Sequence, residues 1–243
     1  LVRDKYFILL AVIVLVASGF TFWYLQYQTI FGYDMARDAF HAHEILFNGN
    51  IKILGPGTDI PGLNHGVLWF YSLVIPYFIG HQDPQIAVLF FFALSVATIP
   101  FVWLLANKLF KNKDVSFIAT VLYSFAPLVV PLGSWMSNPI LSLYATPPLM
   151  LLILSFVEKP TFKKGCGIGI LLGILIQSQL ANLLLLGTLP LFALYFRIKP
   201  TLKVVVSIVL GLVVTLFSYI LVEVSFGGRG VVALLSYLTK HHG

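Results

Sequence analysis

The chain has 243 residues, 59% of them hydrophobic and 10% charged, with a net charge of +6 and a mean hydropathy of +0.95. A soluble domain carries about 25% charged residues, so this balance excludes an ordinary soluble enzyme and points to a polytopic helical membrane protein. The basic excess lies in short loops, which fits membrane topology and anionic headgroups and argues against a nucleic-acid partner. The single cysteine, Cys166, lies in an apolar run and excludes an intramolecular disulfide framework.

Residues 6–25 form an apolar run of about 20 residues, enough for one span and too long for a cleaved leader. Arg3 and Lys5 precede it, so its start is expected in the cytoplasm and its end outside. Residues 34–44 are the densest ionisable stretch of the chain. On a helix at about 100° per residue, Asp34, Arg37, Asp38, His41 and Glu44 share an arc of about 120°. Met35, Ala39, Ala42 and Leu46 fall on another face. The pattern fits a solvated surface helix, and it equally fits a catalytic carboxylate with its supporting groups. Asn48-Gly49-Asn50 predicts the helix stop. A Gly- and Pro-rich loop over residues 55–66 follows, and His65 lies near its end.

Residues 67–79 are apolar, but at about 13 residues they fall short of the roughly 20 a span needs. They are rich in Trp69, Tyr71 and Tyr77, side chains of the membrane interface, and we place them on the outer surface as an interfacial helix. Residues 85–106 then cross inward to Lys108, Lys111 and Lys113, a short basic loop expected to stay cytoplasmic. Residues 115–133 cross outward to the turn at 134–139, and residues 140–157 return to the basic stretch at 158–164. Residues 165–196 lie between two basic flanks, the second being Arg197-Ile198-Lys199, so they cross an even number of times. We read two short helices turning at 177–182, each arm roughly 20–25 Å long against a hydrocarbon core of about 30 Å. Such a turn sits below the outer surface, against protein or a wet cavity, because lipid cannot satisfy its backbone. Residues 204–222 cross outward to Glu223 and Arg229, and residues 231–238 form a second interfacial helix. The expectation is an all-α polytopic transmembrane bundle of about seven spans, residues 1–243 as one domain, the N-terminal portion of a longer protein.

Outside the basic loops, every polar cluster maps to the outer side, which suits a lipid-borne substrate whose polar head sits at that boundary. Several side chains there read two ways. Arg37 is an ion-pair partner of Asp34 or Asp38, or a phosphate contact. Asp38 supports a neighbour or lies on the helix surface, or is itself the catalytic acid. His41 and His43, two residues apart on a helix, diverge and make no metal pair. Asn138 before Pro139 is a helix N-cap or a substrate contact. Gln179 and Asn182 satisfy the buried turn or meet a ligand. Trp69 and Tyr71 read as interface anchors, and His241-His242 carries no assigned role.

Tyr33-Asp34-Met35-Ala36-Arg37-Asp38, placed after a first span, resembles the Asp-Glu-Ala-Arg motif of dolichyl-phosphate-mannose–protein mannosyltransferase-like enzymes. These belong to family 39 of the GT-C superfamily of integral-membrane glycosyltransferases. The similarity continues through Leu54-Gly55-Pro56, residues 62–71, the turn at 108–113 and Ser134-Trp135-Met136-Ser137-Asn138-Pro139. Gln177-Ser178-Gln179-Leu180 is similar to a Gln-x-His stretch of bacterial and archaeal members. The sequence departs from the pattern at Met35, where a Glu often stands, at 134–138, where a second acid is missing, around His65, which replaces a Lys, and at Gln179-Leu180, where the His of the Gln-x-His stretch is absent.

The resemblance implies an inverting sugar transfer on the outer face of the plasma membrane. The donor it implies is a polyprenyl-phosphate sugar, dolichyl- or undecaprenyl-linked, and the acceptor a lipid, glycan or protein. The first-loop acid maps to Asp34, as general base or as holder of a divalent metal, the one cofactor implied. Arg37, Asp38, His41, His65, Asn138 and Gln179 are the substrate-binding candidates. A transporter or flippase of a lipid-linked sugar is the alternative. It would use the same acids to bind headgroups and would show broken helices and related halves. A structural membrane subunit is the third reading.

Overall fold

The computed structural model describes residues 2–28, 31–198 and 201–240. Lys199, His241 and His242 lie outside the described residues. Among those described, the regular elements are all helical, with one isolated bridge between Gly57 and Asn64 pinching the Gly/Pro loop. The first span is α1 (Val2–Gln28), and α2 (Tyr33–Asn48) follows it. Helix α2 stops where expected: Gly49 takes φ +64°, and its N–H donates to the Glu44 carbonyl. The short apolar run is α3 (Leu68–Ile79), about 18 Å long at 1.5 Å per residue and too short to span. Asp83 caps α4 (Pro84–Phe110) by accepting from the Gln85 N–H, with Pro84 at the first helical position.

The next run is broken into α5 (Lys113–Ser124) and α6 (Val129–Ser134). Pro127 lies in the break and lacks the N–H a continuous helix needs. Then come α7 (Ile140–Glu158) and α8 (Phe162–Ser178). A 3₁₀ stretch, Leu180–Gly187, leads into α9 (Thr188–Tyr195). The last crossing is split into α10 (Leu202–Thr215) and α11 (Phe217–Ser225), bent by 65°. Helix α12 (Arg229–Lys240) closes the described chain.

Among the described residues, three helices are long and apolar enough to cross a membrane: Lys5–Leu25, Pro84–Phe110 and Ile140–Glu158. The α10–α11 pair makes a fourth if it is one bent span. The three other crossings expected within 115–133 and 165–196 are built from shorter helices, so helix length and composition give three or four spans against the seven expected.

Two of those shorter helices, α5 and α8, start at the same end of the bundle. At one end, the Tyr6 hydroxyl donates to Asp114 at 2.9 Å, tying the start of α1 to the start of α5. Lys108 of α4 pairs there with Glu158 of α7, and Lys164 of α8 donates to the Ser155 and Lys159 carbonyls. This is the basic end. The opposite end gathers α2, α3, the Gly/Pro loop and the turn after α8. Its packing centres on Trp69, Leu73, Phe91, Met136 and Ile140, each 2% exposed or less.

The tightest packing joins α8 to α10. Gly165, Gly169 and Gly173 recur every fourth residue and meet Ser207, Gly211 and Thr215. A Cβ on Gly169 would stand 2.1 Å from the Ile208 carbonyl oxygen, so only glycine allows this approach.

Candidate functional site

The polar face of helix α2 is only partly solvated. Met35, Asp38 and Ala42 are all buried, so the core-facing side includes an acid. The reason lies on α3, where the Trp69 indole N–H donates to Asp38 Oδ2 at 2.7 Å. Trp69 is itself fully buried and packs on Phe91 at 5.0 Å between ring centroids. It is therefore a buried donor, where an interface anchor was expected. The hydroxyl of Tyr71 donates to the Lys52 carbonyl.

The second oxygen of Asp38 takes Arg37. Both Nε and Nη2 of Arg37 lie 2.8 Å from Asp38 Oδ1. Nη1 of the same guanidinium lies 2.8 Å from Asp34 Oδ1. The expected ion pair is thus made to both acids at once. The result is a ladder, Trp69–Asp38–Arg37–Asp34, running from the core to the surface. The side chain of Asp38 is 3% exposed and that of Asp34 72%. Of the two acids, Asp34 is the one that offers an oxygen to a molecule outside the protein. It also lies in the first turn of α2, where free backbone N–H groups favour an anion. Burial pushes the Asp38 carboxyl above its ordinary range, against the opposing pull of the Arg37 and Trp69 hydrogen bonds.

His41 is one turn further along α2. Its ring packs on Phe70 at 4.6 Å, and its Nδ1 is buried with no hydrogen-bond partner among the described residues. Burial and then the Lys52 charge hold its pKa below the usual imidazole value. His43 turns elsewhere, with Nδ1 2.9 Å from Gln82 Oε1. Glu44 is held by Asn50 and Asn48, and these hydrogen bonds lower its pKa.

His65 belongs to a different place. It lines a cavity of about 390 Å³ between the Gly/Pro loop and α11–α12, together with Leu180, Tyr219, Glu223 and Arg229. Its Nδ1 accepts the Leu180 N–H at 3.4 Å, and burial lowers its pKa. Asp34, Arg37 and Asp38 are not among the residues lining this cavity, so the ladder and the cavity are distinct. They are joined through the chain itself: Val67 lines the cavity, and Trp69, two residues on, holds Asp38.

Asn138 is not a helix cap. No side chain caps the start of α7, and the Asn138 amide instead donates to the Ser178 carbonyl at 2.6 Å while the Ser178 hydroxyl returns a bond to the Asn138 carbonyl. Asn182 donates to the Leu175 carbonyl and to Ser142, so it satisfies the turn. Gln179 is half-buried in extended backbone at that turn. The residue that links the turn to the loop is Gln177. Its Oε1 accepts the Leu68 N–H, its amide donates to the Thr215 carbonyl and to Ser218, and its own carbonyl accepts the Gly66 N–H at 2.8 Å. The resemblance singled out Gln179 and passed over Gln177, whose role shows only in the tertiary placement: any Cβ on Gly66 would collide with it.

A family model described as dolichyl-phosphate-mannose-protein mannosyltransferase matches residues 64–222, well over half of the chain. The chain belongs to this mannosyltransferase family. Membership and the long apolar helices make it a membrane protein of the glycosyltransferase class. No curated protein and no solved structure matches it. The mannosyltransferase match takes in His65, Asn138 and Gln179, while the α2 ladder with Asp34 precedes it.

Proposed function

We propose that the chain transfers a sugar from a polyprenyl-phosphate donor to a hydroxyl of a lipid, glycan or protein acceptor, with inversion. The family's description makes dolichyl-phosphate mannose and a protein hydroxyl the first pair to test. The observation that carries the reading is the ladder from buried Trp69 to exposed Asp34. A hydroxyl is a poor nucleophile, so a carboxylate must take its proton as the new bond forms. In this reading the acceptor oxygen bonds to the anomeric carbon while the bond from that carbon to the phosphate oxygen breaks. Asp34 takes the proton, and polyprenyl phosphate leaves with the bonding electrons. Arg37, fixed between two carboxylates, offers a cation to the leaving phosphate.

Asp38 holds Arg37, and His41 extends the same region of α2. His65 contributes from the neighbouring cavity, with Asn138 and Gln179 shaping the turn beneath it. The donor set does not suit a divalent metal. Arg37 occupies Asp34 Oδ1, both Asp38 oxygens are taken, and no three His, Cys, Asp or Glu side chains converge among the described residues. No step is therefore routed through a metal.

The topology we propose is seven crossings in the plasma membrane, three of them through broken or short helices. The basic end faces the cytoplasm and the α2 end faces outward. Clustering of the basic turns at one end of the bundle supports this arrangement.

The test uses the protein reconstituted in liposomes with dolichyl-phosphate mannose labelled in the sugar and a Ser/Thr peptide. The expected products are labelled peptide and free dolichyl phosphate in equal amounts. Movement of intact donor across the bilayer, with no free dolichyl phosphate, would favour the transporter reading. The bent α10–α11 pair is the structural feature consistent with that alternative.

A further inference from the structure

We propose that the basic end of the bundle carries a binding site for an anionic glycerophospholipid, separate from the sugar-transfer site. A cavity of about 450 Å³ opens among α7, α8, α9 and α10. That is the size of a small-molecule pocket, and its lining is entirely apolar, including Phe156, Ile168, Leu189, Phe192 and Ile208. One acyl chain is the chemistry it accepts. Val157, Ile198, Val204 and Val205, from the ends of α7, α9 and α10 that meet the basic loops, are among its lining residues.

Each of these four residues lies one or two positions along the chain from a cation. Lys159 follows α7, Lys163 opens α8, Arg197 ends α9 and Lys203 opens α10, and all four are exposed. Arg197 is aimed by the backbone. Just after α9 it takes φ +53°, and the Ile198 N–H donates back to the Ala193 carbonyl at 2.8 Å; Ile198 lines the cavity and Arg197 does not.

From residue 153 to residue 212 the sequence holds one acid, Glu158, and Lys108 occupies it. The collar therefore has excess positive charge above an apolar slot. A glycerophosphate headgroup with one tail in the slot matches both features. The occupant is a phospholipid and not the donor, because the donor's phosphate is required at the opposite end, beside Asp34. This inference rests on the chain being a membrane protein, and its choice of a phospholipid over the donor rests on the proposed transfer site at Asp34.

The experiment is native mass spectrometry of the full chain, comparing dioleoyl phosphatidylglycerol with dioleoyl phosphatidylcholine. Each Lys or Arg at an anionic surface contributes roughly fivefold, so with screening we expect about a tenfold or greater preference for phosphatidylglycerol. The quadruple variant K159Q/K163Q/R197Q/K203Q should bring the preference below about twofold on the same scale. Ala193→Phe, which fills the slot, should lose the bound lipid while keeping every cation. Equal retention of the two lipids by the wild type overturns the proposal, as does full preference in either variant. Displacement of phosphatidylglycerol by an equal amount of undecaprenyl phosphate overturns the choice of occupant. Should a variant fail to fold by gel filtration, the wild type alone decides: the preference must collapse with added salt, and a salt-independent preference overturns the proposal.

Discussion

Replacing Trp69 by Phe removes one hydrogen-bond donor from the ladder and little else. The indole N–H reaches Asp38 Oδ2 at 2.7 Å, and both residues are 2% exposed or less. A hydrogen bond to a charged group contributes about 1.5–3 kcal/mol, and the smaller ring leaves a void against Phe91, so the total cost is about 2–4 kcal/mol. For a chain of this length that is roughly 4–16 °C in unfolding midpoint. The loss should also depend on pH. Without its donor, the buried carboxyl of Asp38 rises further above its unfolded value. A raised folded pKa means stability that is present below the unfolded pKa and lost as pH rises through the folded one. The deficit of Trp69→Phe should therefore grow from acid to neutral pH. Trp103 is the control, since its buried indole N–H has no hydrogen-bond partner among the described residues. Thermal unfolding in detergent at several pH values, on both variants, reads the effect. If Trp69→Phe melts with the wild type at every pH, or if Trp103→Phe is equally damaging, the ladder does not hold α2 to α3 as argued.

Two further outcomes are expected. Gly169→Leu drives a side chain into the Ile208 carbonyl and should separate α8 from α10, costing about 3 kcal/mol or more in the same melt, whereas a melt unchanged from wild type would contradict the packing. His41 and His65 both have pKa values held down chiefly by burial, so their contribution is present above the unfolded value of about 6.5 and lost as pH falls through the folded values. The melting point should drop on acidification from pH 7.5 to 5, and a His41→Gln/His65→Gln variant should show a flatter profile; an equally steep profile would assign the loss to other groups.

Part of this architecture was legible in the chain. Gly49 and the polar run before it set the stop of α2, and the short aromatic segment of α3 was too short to cross. The turn near Gln177 followed from the spacing of the basic flanks. What periodicity could not show is a partner far along the chain. Asp38 sits on the polar arc of α2, and only the indole of Trp69, 31 residues later, makes its burial tolerable. Composition likewise read residues 115–133 as one continuous span, although Pro127 breaks it. The role of Gly165, Gly169 and Gly173 was not read from the sequence, because it depends on Ser207, Gly211 and Thr215 lying opposite. The separation of His65 from the Asp34 ladder depends on tertiary placement alone, since both follow the first span and both look like one outer cluster.

The central claim is that Asp34 is the base of sugar transfer, and the initial transfer rate of Asp34→Asn at saturating donor tests it most directly. The amide keeps the shape and the exposure and removes the basicity, so donor binding and folding should survive. The rate should fall by about 10²–10⁴-fold. Asp38→Asn, measured beside it, should lower the rate less and the melting point more, because it acts through Arg37. Transfer by Asp34→Asn at close to the wild-type rate would contradict the account.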